Sequence, residues 1–278
     1  MLYYIYKLTF HQQLPTNFAV GGETVMTFQL WSFWHYVYIL SSFLIFAGIY
    51  FSVRHRSEKI KTVVGIILGG ISVFILILRN VDIFLRQGWD LEVIPLQVCH
   101  IGSLVAGLAL ILRKKWLILT SFCFNMTPAI LAMVFADSLA NYDTLLRIRP
   151  QTYIWGHIFI VVCALYGIFV FLPKLTKKDL MIAICFVSTL SIIAIVCNSA
   201  FRATLGWTPN YFYLYDYKGT PLKFLYKVVP TSVYGWFSIN WFYTITLFAV
   251  FVGVFIGLFF LAKWLVAKCI DREANKQQ

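Results

Sequence analysis

Acidic side chains are scarce in this chain: there are 11 Asp and Glu among 278 residues, and only 12% of residues are charged at all. A soluble globular domain carries roughly 25%, so a water-facing surface over the whole chain is excluded. Six cysteines are present, at 99, 123, 163, 185, 197 and 269, and none stands in a Cys-x-x-Cys pair or a metal-ligand spacing. That excludes a disulfide framework and a zinc site, and no metal or cofactor is implied. Long polar linkers and low-complexity tracts are missing too, as is any clear internal repeat, so no second domain is indicated. Residues 1–32 are too polar, and too interrupted by Pro15 and Gly21-Gly22, to supply the apolar centre of a cleavable signal. They are expected to lie at a membrane interface.

What is abundant is apolar. The chain is 60% hydrophobic and 18% aromatic, with a mean hydropathy of +0.79. This predicts an all-α, polytopic membrane bundle in one transmembrane domain over 1–278, with seven spans of about the ~20 residues that cross a hydrocarbon core. They fall at about 33–53, 62–81, 93–112, 116–135, 152–172, 180–200 and 239–262. A long connection, 201–238, separates the last two, and 263–278 is a charged tail.

The formal charge of +12 raises nucleic acid as a partner, but the placement of the cations answers that. The segments 54–61, 113–115, 174–178 and 263–276 share 14 Lys and Arg, while all remaining positions hold 9, over much longer loops. Positive charge marks the cytoplasmic side. The N-terminus is therefore expected outside, the 263–278 tail inside and the 201–238 loop outside. The charge reports topology and contact with anionic lipid, in a multi-pass protein of the cell membrane with no nucleic-acid partner.

Polar groups deep in an apolar helix are costly and call for a reason. The stretch WDLEVIPLQVCHIGSLVAG, 89–107, carries Gln97, Cys99 and His100 within its first two predicted turns. One explanation is a buried reactive thiol. The other is a face of small residues (Cys99, Gly102, Ser103, Ala106, Gly107) for close helix packing. Entering from outside near Val93, Cys99 lies roughly 9 Å deep at 1.5 Å per residue, and His157, entering near Thr152, lies roughly 7–8 Å deep. A cysteine needs a base or cation beside it to act as a nucleophile, and His157 is placed to supply the base. His100 projects about 100° away from Cys99 on a helix, which suits headgroup positioning or packing. The other outer halves add Arg79, Asn80 and Asp82, Asn198 with Arg202, and Asn240; Arg79, Asp82, Asn198, Arg202 and Asn240 join Gln97 and His100 as substrate-binding candidates, and Asn198 and Asn240 are also candidate oxyanion donors. Arg79 and Asp82, at (i, i+3), are expected to pair. Cys123, Cys163, Cys185 and Cys197 read as small core residues, and His11, His35 and His55 as chain-end or interfacial groups. The aromatic run WTPNYFYLYDY, 207–217, is either an aromatic belt at headgroup level or a cover over an outward-facing lipid cleft.

Several segments also resemble a known family. IPLQVCHIGSL is similar to the Leu-Pro-Leu-His-Leu-Cys segment of the YwaF family of bacterial integral membrane proteins. FAD at 135–137, followed by YIWGHIFIVVCALY, resembles that family's Pro-Asp loop and the Phe-Phe-x-x-His start of its next helix. TPNYFYL resembles its Asn-Tyr-x-Tyr-Leu segment, with Pro221 downstream. The resemblance runs over about 75–245 in the same motif order. The family has vertebrate relatives that include a cysteine-dependent acyltransferase remodelling ether phospholipids, so the resemblance implies Cys99 as acyl-accepting nucleophile and His157 as its base. One position departs: the histidine two before the family's cysteine is Gln97 here, and His100 would have to substitute for it.

The expected function is thus a lipid acyltransferase or transacylase working through a Cys99 thioester in the outer leaflet, on a phospholipid or lipid-linked substrate. Two alternatives stand beside it. A small-molecule or lipid transporter would use the same polar cluster as a substrate site, with the break at Asn125 and Pro128 as its discontinuous helix. A non-enzymatic scaffold or sensor would need the cluster only for structure.

Overall fold

The computed structural model describes residues 17–20, 23–26, 28–142, 144–218 and 222–274. Pro15, Gly21-Gly22, Pro221 and the end of the tail, 275–278, lie outside the described residues. A short antiparallel hairpin, β1 (Asn17–Val20) and β2 (Glu23–Met26), pairs Asn17 with Met26. Helices α1 (Phe33–Val53), α2 (Glu58–Gln87) and α3 (Val98–Leu112) follow. Next come α4 (Lys115–Thr120), a π-helical segment Ser121–Asn125, and α5 (Met126–Val134), which together form one continuous rod. Then come α6 (Ile148–Phe169), α7 (Lys177–Leu205), the single turn α8 (Lys223–Tyr226), the hairpin β3 (Ser232–Tyr234) and β4 (Phe237–Ile239), and α9 (Trp241–Ala274).

Six of these rods are long and apolar enough to cross a membrane. Their outward faces carry large apolar side chains such as Leu44, Phe74, Ile192 and Phe260, as lipid-facing helices must. Six of the seven expected spans are long and apolar enough to cross, and α2, α7 and α9 run longer than expected while the remaining one, α3, is shorter. α2 extends beyond both ends of 62–81, and α9 runs on through Ala274, so most of the predicted charged tail is helical. Charged residues at helix ends reach past the hydrocarbon while the backbone bonds continue. α3 is shorter than expected. Its 15 residues rise roughly 22 Å at 1.5 Å each, less than the ~30 Å core.

The reason is local. Pro95 has no N–H to enter a ladder, and residues 88–97 are fixed by other partners. Asp90 Oδ1 accepts from the Glu92 N–H at 2.9 Å. Arg79 donates to the Glu92 carbonyl at 2.8 Å, and Asn80 donates to the Val93 carbonyl at 3.1 Å. Non-helical backbone at this depth persists only because protein groups satisfy it.

α6 is the central rod: it is the most buried of the spans, packing against α2, α3, α5 and α1. Tyr166 on α6 donates to the Lys61 carbonyl at 2.7 Å, and the Cys163 thiol approaches the Leu68 carbonyl at 3.7 Å, both on α2. The closest helix approach is between α2 and α3. A Cβ on Gly107 would stand 2.7 Å from the Gly69 carbonyl oxygen and 2.6 Å from Val73 Cγ2. Ser72 Oγ donates to the Ser103 carbonyl at 3.0 Å beside it. The small-residue reading of the 99–107 stretch is therefore right for this face. Among the other cysteines, Cys123 and Cys163 are buried as expected, whereas Cys185 is exposed and Cys197 half-buried, because α7 packs along a narrow stripe. His35 is also displaced from its expected interfacial place. It is fully buried, with Nε2 at 2.8 Å from the Met133 carbonyl on α5 and Nδ1 accepting from the Trp31 N–H at 2.9 Å.

Candidate functional site

A cavity of about 640 Å³ opens at the end of the bundle where α2 finishes and α3 and α6 begin. Its volume lies within the roughly 300–1,000 Å³ of small-molecule sites. It is lined by Gln97, Cys99, His100 and Ser103 from α3 and its entry, and by Thr152, Tyr153, Gly156 and His157 from α6. Cys99 is the second residue of α3, not a mid-span residue. His157 lies nine positions into α6, roughly 13 Å along it. Both line one cavity: residues 88–97 lie outside the helix, so Cys99 stands at the very start of α3 while His157 lies further along α6.

Cys99 stands in the first turn of α3, and Arg79 lines the same cavity. A helix N-terminus and a guanidinium both stabilise negative charge on sulfur. The His157 tautomer follows from its partner. Nδ1 stands 2.7 Å from the Tyr153 carbonyl oxygen, which can only accept, so Nδ1 carries the hydrogen. Neutral His157 therefore holds its lone pair on Nε2, the arrangement a general base needs. Tyr153 is itself anchored, its hydroxyl donating to the Ala132 carbonyl at 2.9 Å. His100 reaches the same cavity, and its buried Nδ1 has no hydrogen-bond partner among the described residues. His100 and Cys99 are adjacent in sequence, and both line the cavity at the open end of α3.

Charge is organised around Glu92. Arg79 on α2 meets its carboxylate at 2.8 Å and Arg149 on α6 at 2.5 Å, both partly buried. The expected Arg79–Asp82 pair is not made: Asp82 pairs with Arg86 at 2.7 Å and does not line the cavity. Asn80, too, is committed to the Val93 carbonyl.

The 206–218 segment is a cover. Thr208, Asn210, Tyr213, Asp216 and Lys218 line the cavity from it, along with Arg202 at the end of α7. The Asn210 amide nitrogen donates to the Asp216 and Lys218 carbonyls, and its oxygen accepts from the Tyr215 and Asp216 N–H groups. Arg202 lies 3.7 Å over the Tyr215 ring and donates to the Pro209 carbonyl at 2.8 Å. Asn198, fully buried, clamps Tyr211 from both sides: Nδ2 donates to its carbonyl at 3.0 Å and Oδ1 accepts from its N–H at 2.7 Å. Tyr211 then donates to the Leu91 carbonyl at 3.0 Å, latching the cover to the entry of α3. Phe212 stacks on Phe124 at 5.7 Å. Between these fixed points Phe212 and Tyr213 hold left-handed backbone, φ 57° and 56°, at a cost of order 1–3 kcal/mol each.

Two of the expected oxyanion donors are thus builders instead. Asn198 spends both amide atoms on Tyr211. Asn240 caps α9, accepting from the Tyr243 N–H at 3.0 Å and donating to the Tyr226 and Val229 carbonyls. Neither lines the cavity. Sequence reasoning missed Tyr153 and Tyr213. The first had a readable signal, four residues before His157 on one helix face; the second had none.

Residues 28–260 match the profile of the TMEM164 family. The chain belongs to the TMEM164 family. This is a multi-pass membrane family, as the six long apolar rods require. The matched range takes in every cavity-lining residue, from Ile75 to Lys218. No curated protein and no solved structure matches the chain.

Proposed function

We propose that this TMEM164-family protein is a membrane transacylase that carries an acyl group as a thioester on Cys99. The observation that supports it most is that Cys99 and His157 line one cavity, with the imidazole held through Nδ1 so that Nε2 carries the lone pair. His157 takes the thiol proton, and sulfur attacks the ester carbonyl of a donor lipid. The C–S bond forms, the ester C–O bond breaks, and the departing alkoxide recovers the proton from Nε2. In the second half an acceptor hydroxyl loses its proton to His157 and attacks the thioester carbonyl; the C–S bond breaks, and the released Cys99 sulfur takes that proton back from Nε2.

The walls suit an amphiphile. Ile75, Leu76 and Ile160 form an apolar side, while Arg79, Arg149, Arg202 and Lys218 outnumber Glu92 and Asp216. An acyl chain with an anionic headgroup, as in a phospholipid, matches both. The Lys and Arg distribution supports an outward position for this end of the bundle, with the N-terminus out and the C-terminus in. The donor is then another lipid, since acyl-CoA is not present there. Resemblance to the YwaF family and its cysteine-dependent acyltransferase relatives points the same way. The transport alternative rests on the Asn125 break. That residue is buried against Gly102 within the π segment and does not line the cavity.

The test is covalent capture. Purified protein incubated with phospholipid vesicles should gain the mass of one acyl chain, released by hydroxylamine and absent in Cys99→Ala. Loss of His157 should remove most transfer, and the double variant should be no worse than Cys99→Ala, because paired groups are not additive. Full acyl transfer by well-folded Cys99→Ala would end the proposal.

A further inference from the structure

The thioester proposed above leaves one requirement unmet. A carbonyl attacked by sulfur places negative charge on its oxygen, and such sites hold donors aimed at that oxygen. Asn198 and Asn240 are committed elsewhere. At the start of α3 the first backbone bonds are made by His100 and Ile101 to the Gln97 carbonyl. Among the described residues, the Cys99 N–H therefore donates to no backbone acceptor, so it is one donor in place.

We infer that the second donor is the Tyr213 hydroxyl, brought over Cys99 by the cover and hydrogen-bonding the oxyanion of the tetrahedral adduct; this assignment rests on the thioester chemistry proposed above. Tyr213 lines the cavity together with Cys99 and His157. Its backbone is one of two consecutive left-handed residues, neither of them glycine. That strain persists because the segment is fixed on either side: Tyr211 by Asn198 and Leu91, Phe212 by Phe124, and the following turn by Asn210. In an extended conformation Tyr213 would point elsewhere, so the strained pair is what turns the ring to the cavity. Strain of this kind gathers where a side chain must be aimed. A tyrosine hydroxyl, with an ordinary pKa of about 10, is a protonated donor at neutral pH.

The chemistry is balanced without further reagents. Sulfur attack moves the carbonyl π electrons onto oxygen; Tyr213 O–H and Cys99 N–H hydrogen-bond to that oxygen without giving up their protons. Collapse returns the electrons as the ester C–O bond breaks.

A fatty-chain trifluoromethyl ketone tests this on the full protein in detergent, because sulfur adds to it reversibly and leaves a stable oxyanion. Iodoacetamide alkylation of Cys99, read by peptide mass, serves as the comparison, since it develops no oxyanion. Tyr213→Phe keeps the ring and removes the hydroxyl. The expected result is a loss of about 10²-fold in ketone affinity, the size of one missing oxyanion donor, with alkylation unchanged. Equal ketone affinity in wild type and Tyr213→Phe overturns the assignment while leaving the thioester proposal standing. A parallel fall in alkylation also overturns it, since the ring would then only shape the cavity. A wild-type protein that is alkylated at Cys99 but forms no ketone adduct removes the thioester proposal, and this one with it.

Discussion

Replacing Asn198 with alanine should unlatch the cover without unfolding the bundle. Asn198 is fully buried and makes two hydrogen bonds, to the N–H and the carbonyl of Tyr211, at 2.7 and 3.0 Å. Alanine leaves both backbone groups without partners, at about 1–3 kcal/mol each. The closed cover therefore loses roughly 2–6 kcal/mol relative to an open one, in which water satisfies both groups and the backbone of Phe212 and Tyr213 relaxes. Even the lower bound raises the open population about 30-fold, at about 1.4 kcal/mol per decade. The helices lose no packing of their own, so the thermal midpoint should move by only a few degrees. The assay is modification of Cys99 by a charged, water-soluble thiosulfonate, with the peptide identified by mass. The expected result is a rate increase of at least about 10-fold and a matching loss of lipid turnover. Asn198→Asp, which keeps the acceptor and loses the donor, should fall between. Unchanged Cys99 accessibility in folded Asn198→Ala would refute the latch, and would return the 207–217 run to an aromatic belt.

Other perturbations separate packing from chemistry. Gly107→Val should lower the unfolding midpoint in detergent by the equivalent of about 1–3 kcal/mol, because its branches meet the Gly69 carbonyl and Val73; an unchanged midpoint would mean that α2 and α3 separate at no cost. His35→Leu strands the Met133 carbonyl and the Trp31 N–H and should cost about 2 kcal/mol or more, seen as a lower midpoint while alkylation of Cys99 in the folded protein is unaltered. For orientation, a tag after Gln278 should be protected from protease in intact cells and one beside Lys218 should be cleaved; the reverse would move the proposed chemistry to the inner leaflet.

Sequence alone determined the class of this protein. Apolar runs of membrane length admit few structures besides helices, because each backbone N–H and C=O must be paired within its own segment. The positions of the rods follow from that rule and need no tertiary information. That Cys99 and His157 belong to one end of the bundle was legible for a related reason. Polar groups are so few in these runs that two at one end of the bundle stand out, and their cost demands a partner.

The placement of those groups was decided only in three dimensions. Equal helical depth was the expected basis for Cys99 and His157 sharing a site; in the structure a non-helical entry, held by Arg79, Asn80 and Asp90, leads to Cys99 at the start of α3, and both residues line one cavity. Spacing along a helix suggested Asp82 as the partner of Arg79; the carboxylate it meets is Glu92, 13 residues away, shared with Arg149. Asn198 and Asn240 carried the right chemistry for oxyanion donors, yet their amides are used by Tyr211 and by the start of α9. An amide's role is set by which backbone groups the fold leaves unpaired beside it, and those groups come from segments distant in sequence. Periodicity reports which face a residue occupies. It carries no record of what another segment brings to that face.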